Sequence, residues 1–316
     1  MASMFAITPF NSDISKWAVS SVTDMSSMFA SATSFNSDLS KWDMSSVTAM
    51  ARMFGATVAS MFEGASSFNV EVSKWQVSSV TDTTRMFERA TSFNADISKW
   101  DVSSVTEMQF MFRRAQVFNR DISLWDVSSV HGMYGMFQNT LSFNSDISKW
   151  KISHITNMDR VFAAAYSFNG DVADWDVSSV LTMTNTFYQA RAFNGDLSKW
   201  HVSSVTDMSG MFSDASVFNG DISKWDVSGA IDMSYMFKEA TSFNGDISKW
   251  DVSSATDMSY MFHRAISFNG DIWKWHVSRV ATMSYMFWGA QSFNQNLCGI
   301  SWVDSSARQE YMFHNS

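Results

Sequence analysis

Residues 243–267 read FNGDISKWDVSSATDMSYMFHRAIS, and the chain repeats this text with small changes along its length. Counted from the Phe of each Phe-Asn pair, units begin at Phe10, Phe35, Phe68, Phe93, Phe118, Phe143, Phe168, Phe193, Phe218, Phe243, Phe268 and Phe293. Every step is 25 residues except that from Phe35 to Phe68, which is 33. A fixed period of this length marks a repeat architecture, in which one unit cannot bury its own apolar face and depends on its neighbours.

The columns of the repeat carry distinct chemistry. Trp stands seven places after the Phe, from Trp17 to Trp275, and an aliphatic residue or Met follows two places later, as Met44, Val102 and Ile152. Trp and Val alternating with polar neighbours predict a short strand with one buried face. The second half of the unit changes period. In the copy at 193–217, Val205, Met208, Met211, Phe212 and Ala215 fall on one face at helical spacing. Ser204 with Asp207, like Ser21/Asp24, Ser79/Asp82, Ser104/Glu107 and Ser254/Asp257, has the form of a capping box.

One strand, one helix and two turns per unit predict a leucine-rich-repeat-like α/β solenoid with one parallel sheet and short helices, in about twelve 25-residue coils. The expected organisation is a single solenoid domain over 1–316. It comprises a partial unit at 1–9, eleven repeats over 10–292 with an eight-residue insertion near 53–62, and a degenerate unit at 293–316. In the insertion Met53-Phe54 is echoed by Met61-Phe62, which predicts a longer helix or a bulge that leaves the sheet intact.

Composition narrows the function classes. With 27 Phe, 24 Met and 14 Trp, and 46% hydrophobic residues, the chain has material for a large packed core. A net charge of −9 argues against sequence-independent nucleic-acid binding, which needs clustered cations. Cys298 is the single cysteine, so neither a disulfide within the chain nor a CxxC metal site is expected. No run of 18 apolar residues is present, so no membrane insertion by a helix is expected. The opening MASMFAITPF lacks the charged and apolar regions of a secretory signal.

Catalysis finds no foothold. The six histidines fall in scattered phases, and only His201 and His276 share a column. No HExxH, nucleophile elbow, Walker loop or Rossmann glycine pattern occurs. The reading is a protein that is not an enzyme, with no cofactor and no metal site.

Three further columns bear on function. Asn follows the Phe in every unit: Asn11, Asn36, Asn69, Asn94, Asn119, Asn144, Asn169, Asn194, Asn219, Asn244, Asn269 and Asn294. A ladder of amides bonding turn backbone in neighbouring coils is expected, satisfying groups otherwise buried and unpaired. Asp stands three after the Phe in most units, as at Asp196, Asp221 and Asp246, which points to Asx-turn chemistry, with a row of bound cations as the alternative. The Met pairs, such as Met258 and Met261, read as core. Near the C-terminal end Tyr235, Tyr260 and Tyr285 share one column, while Trp273 and Trp288 replace small or polar residues. These rings either stack on one another or form a binding patch, since exposed aromatics take sugars and proteins.

The string FN-x-D-I-S-x-W-D-V-S-x-V-T-x-M-x-x-M-F resembles the repeat of the BspA-like surface proteins of bacteria and microbial eukaryotes, over about residues 10–295. The resemblance implies a solenoid, a cell-surface or extracellular location, and adhesion or partner binding. The expected function is a scaffold for recognition of a protein or glycan surface. The alternative is a structural protein that self-associates through its solenoid ends, head to tail, into filaments; Met4-Phe5 and Met312-Phe313 stand at nearly the same phase of the repeat.

Overall fold

A 25-residue coil must turn several times, and here aspartates make the corners. In the coil 218–242, the backbone N–H of Ser223 donates to Asp221 Oδ1 at 2.9 Å, that of Ser228 to Asp226 Oδ1 at 3.1 Å, and that of Ser234 to Asp232 Oδ1 at 2.8 Å. Each is an Asx turn, in which a carboxylate replaces a backbone carbonyl as acceptor. The Asp column three places after the Phe therefore caps its own corner. The Ser-x-x-Asp pattern is no helix capping box: Asp207 accepts from the N–H of Ser209 at 2.9 Å and from its hydroxyl at 2.7 Å.

The computed structural model describes residues 1–50 and 61–316. They fall into two compact units, Met1–Ile155 and Thr156–Ser316. Within each unit successive coils stack through a ladder of single parallel bridges. In the first it runs Asp24, Ala49, Asp82, Glu107, Gly132; in the second Asn157, Thr182, Asp207, Asp232, Asp257, Thr282, Arg308. The expected insertion near 53–62 lies outside the described residues except for Met61 and Phe62, which are fully buried. Phe62 stacks between Phe29 at 5.4 Å and Phe87 at 5.8 Å, so the second Met-Phe pair supplies the core column.

Two expectations are corrected. The Trp-x-Val segment forms no strand among the described residues. The inter-coil bridge sits instead at one residue per coil, just before the first Met of the second half. The second half is not a helix either. The one helix among the described residues is Ile300–Val303, in the C-terminal segment.

In the coil 193–217 the N–H groups of Met208, Gly210, Phe212 and Asp214 donate to the next coil, at Asp232, Ser234, Met236 and Lys238. Those of Met211, Ser213 and Ala215 donate three residues back. This alternation places a left-handed residue at two points of each coil, here Gly210 at φ 62° and Asp214 at φ 59°. Spacing explains why a helix loses. Tyr235 and Tyr260, in adjacent coils on this side, have ring centroids 4.8 Å apart, whereas packed helices need axes about 8–10 Å apart. The 3-4-3 spacing of Met208, Met211, Phe212 and Ala215 buries one side of a chain of tight turns as well as it would one face of a helix.

The interior consists of stacked rings. In the second unit Trp200, Trp225, Trp250 and Trp275 follow one another at 6.4 Å, with planes within 4° of parallel. Each indole N–H is paired across coils: Trp225 Nε1 donates to the Leu197 carbonyl at 3.0 Å and Trp250 Nε1 to that of Ile222 at 3.1 Å. Phe212 lies 3.8 Å from Phe218 and 5.7 Å from Phe237, and the pattern repeats in each coil. Val202, Val205, Met208 and Met211 complete the core.

The Asn columns form a run of bonds in each unit. The backbone N–H of Asn194 donates to Asn169 Oδ1 at 2.9 Å, that of Asn219 to Asn194 at 2.8 Å, and that of Asn244 to Asn219 at 2.8 Å. In the first unit Asn36 donates in the same way to Asn11, Asn69 to Asn36, Asn94 to Asn69, Asn119 to Asn94 and Asn144 to Asn119. These amides lie at the surface, not in the interior as expected; Asn194 and Asn219 are exposed. Their role is to hold the corner of one coil onto the next.

Candidate functional site

The left-handed turns of the second half decide which side chains face outward. Between the buried Met and Phe residues of each coil, the first left-handed residue and the residue three places later point away from the core. In the last four coils these positions spell Tyr-Met-Phe-Lys at 235–238, Tyr-Met-Phe-His at 260–263, Tyr-Met-Phe-Trp at 285–288 and Tyr-Met-Phe-His at 311–314.

The tyrosines form one stack: Tyr235 to Tyr260 at 4.8 Å, Tyr260 to Tyr285 at 4.7 Å, Tyr285 to Tyr311 at 5.2 Å. Beside it runs a second, with His263 to Trp288 at 4.6 Å and Trp288 to His314 at 6.2 Å. Between the two rows lies a cleft of about 380 Å³. The Arg264 guanidinium sits 4.9 Å from the Trp288 ring centroid.

The arrangement brings together Tyr235, Tyr260, Tyr285 and Trp288, but not Trp273. That ring is 45% exposed, packs under the Lys274 ammonium at 5.2 Å, and makes no ring contact with the two rows among the described residues.

Tyr311, His263 and His314 join the surface without having been singled out from sequence. The signal was present. The bridge from Thr282 to Arg308 spans 26 residues, so one extra residue in the last coil shifts Tyr311 and His314 out of the 25-residue register. Once it is counted, His263, Trp288 and His314 share a column, which corrects the reading of the histidines as scattered.

Electrostatics keep Tyr235, Tyr260, Tyr285 and His263 in their neutral forms. Burial raises the Tyr235 hydroxyl above the usual phenol range, with Asp257 and Asp232 adding to the effect. Burial, then the neighbouring rings, raise Tyr260 and Tyr285 in the same sense. All three remain phenols at neutral pH. His263 is pushed down to about 4 by burial and then by the Lys238 and Arg264 charges. Its Nδ1 is buried with no hydrogen-bond partner. Because the tyrosine planes lie within about 10° of each other, their faces cover one another. The strip therefore presents ring edges and hydroxyls to solvent.

In the Met1–Ile155 unit the corresponding positions are mixed, and three of them, Arg85, Glu88 and Arg113, are charged. Glu88, fully buried, pairs with Arg113 and lies 3.6 Å from Arg85 Nε and 3.9 Å from Arg89 Nε. Arg85 and Arg113 both sit over the Phe110 ring, at 5.0 and 4.6 Å. No cluster of three His, Cys, Asp or Glu residues able to hold a metal ion occurs among the described residues. None of their helices is long and apolar enough to cross a membrane.

The family described as "Mycoplasma protein of unknown function, DUF285" matches residues 1–59, 56–173, 133–239 and 218–316, overlapping stretches that together span the sequence. The chain belongs to the DUF285 family. Comparison with curated proteins finds no match.

Among solved structures, this DUF285 chain is similar to a leucine-rich cell surface protein of Faecalibacterium prausnitzii, at 13% identity and TM-score 0.34, covering 78% of this chain and 85% of that one. It is similar also to an internalin of Listeria monocytogenes, at 8% identity and TM-score 0.19, covering 88% and 81%. A third is the chain of a TLR13–ssRNA13 complex, at 10% identity and TM-score 0.22, covering 80% and 46%.

Proposed function

We propose that this DUF285 chain is a non-enzymatic recognition scaffold that binds a protein or glycan at a cell surface through the aromatic strip of its Thr156–Ser316 unit. The observation that carries this reading is the pair of solvent-facing ring rows, Tyr235–Tyr260–Tyr285–Tyr311 and His263–Trp288–His314. A solenoid stabilises its core without these side chains, and earlier coils place Asn185, Gly210 and Ser213 in the same columns. Tyr and Trp, which make up most of these rows, are among the residues enriched in binding hot spots. The resemblance of the repeat to BspA-like surface proteins supports the same reading.

The test is adhesion of beads coated with the purified protein to cultured cells, compared with beads carrying Tyr260→Ser/Trp288→Ser and, as control, Trp273→Ser. Loss of two hot-spot rings lowers adhesion by roughly tenfold or more, and the control retains it. Equal adhesion by the double variant and the wild type refutes the reading.

A further inference from the structure

The tyrosine stack stops abruptly. Coil 193–217 carries Gly210 and Ser213 where the next coils carry Tyr235 and Lys238, then Tyr260 and His263, then Tyr285 and Trp288. With both outward positions small in one coil, the strip is cut by a notch of about 340 Å³, within the range of about 300–1,000 Å³ typical of small-molecule sites. Asn185 and Tyr188 of the preceding coil form one wall, and Tyr235 and Lys238 of the following coil form the other.

Three features make the notch more than a gap. First, Tyr235 has a ring neighbour, Tyr260, on one face, while its other face looks onto Gly210; it is 40% exposed, whereas Tyr260 and Tyr285 are half-buried. That face is open to a ligand. Second, a Cβ built on Gly210 would meet the Asn185 side-chain oxygen, so that amide reaches over the floor. Neither end of it is hydrogen-bonded among the described residues. Third, Lys238 adds an ammonium, and Ser213, buried and donating its hydroxyl to Asp214 Oδ2 at 3.2 Å, lines the notch with an oxygen that can still accept.

An exposed aromatic face ringed by an amide, a hydroxyl and an ammonium matches a flat ring whose faces carry C–H groups and whose edge carries hydroxyls. Charge narrows the class further. The Lys238 ammonium at the notch lies 3.9 Å from the Glu239 carboxylate, so its charge is paired within the protein. A neutral ligand suits that balance.

We propose that this notch binds the ring of a neutral pyranose, stacked on the open face of Tyr235 and hydrogen-bonded at its edge to the Asn185 amide, Ser213 and Lys238. The proposal rests on the strip being a recognition surface and names the chemistry at its broken end.

Saturation-transfer difference NMR tests it with methyl glucoside, methyl galactoside, methyl mannoside and methyl N-acetylglucosaminide, and with choline as a cationic comparison. Gly210→Tyr inserts the residue that the next three coils hold at this position with φ of 59°, 59° and 61°, and so fills the notch with a fifth tyrosine of the stack in place of a ligand. Wild type is expected to transfer saturation to at least one pyranoside. Gly210→Tyr abolishes the signal, Asn185→Ala reduces it several-fold, and Trp273→Ser, which lies outside both ring rows, leaves it unchanged.

No transfer to any pyranoside from the wild type, transfer to choline alone, or full transfer in Gly210→Tyr overturns the assignment. If Gly210→Tyr does not melt cooperatively, Asn185→Ala decides alone, and an unchanged signal in that variant overturns it. Failure here leaves the bead assay intact, since that assay depends on Tyr260 and Trp288 rather than on the notch.

Discussion

Tyr235, Tyr260 and Tyr285 hold φ near 60°, a left-handed backbone that costs an L-residue roughly 1–2 kcal/mol. Their coils tolerate it because the turn geometry repeats and each N–H bonds to the next coil. Tyr260 N–H, for example, donates to Ser284 O at 3.0 Å. The same strain falls on small side chains elsewhere. Ala164 sits at φ 54° and is 4% exposed, while its neighbour Ala163 lies outside the left-handed region and is 2% exposed. Glycine adopts φ > 0 without the Cβ penalty. Ala164→Gly is therefore expected to leave stability unchanged or raise it by up to about 1 kcal/mol, whereas Ala163→Gly lowers it by about 0.5–1 kcal/mol. Urea denaturation of both variants checks the sign. Equal destabilisation by the two would contradict strain at Ala164.

At the scale of the element, the turn-built half coil shows what periodicity can and cannot say. Met208, Met211, Phe212 and Ala215 were legible as one buried side, and they are buried. The backbone beneath them was not legible, because a chain of tight turns with every fourth residue left-handed buries the same positions as a helix. The deciding quantity, the coil-to-coil distance, is written in no single unit. The indole row was legible as core, but the bond from each Nε1 to a carbonyl in the preceding coil was not, since it joins residues 28 apart. The aromatic strip was half legible: the tyrosine column lies in register, while Tyr311 and His314 are displaced by one inserted residue. Trp225, 3% exposed and bonded to Leu197, anchors its coil through both packing and that bond. Trp225→Ala is expected to cost roughly 3–5 kcal/mol, read from the urea midpoint. A cost under about 1 kcal/mol, the range of surface changes, would place the indole outside the core.

At the scale of the whole molecule, the corners share one chemistry and so one vulnerability. Asp221, Asp226, Asp246 and Asp251 each accept from the hydroxyl and then the N–H of the Ser two residues on, and each is held below the ordinary aspartate value of 3.8. Groups with depressed folded values bind fewer protons folded than unfolded, so their stabilisation is complete above the ordinary value and is lost as pH falls through the folded one. The melting temperature is therefore expected to hold steady with respect to these corners down to about pH 4–5 and to fall steeply below it, with uptake of several protons on unfolding. A melting temperature flat down to pH 2.5 would show that the corners do not depend on ionised aspartate.

The indole row carries a consequence of another kind. Four aromatic chromophores at 6.4 Å, with planes within 4° of one another, are electronically coupled absorbers rather than independent ones. Light absorbed by Trp200 migrates along the row and is emitted from whichever of Trp200, Trp225, Trp250 and Trp275 has the lowest excited state. The emission of this row thus reports on one site chosen by energy transfer, and loss of a middle ring interrupts a conductor of excitation.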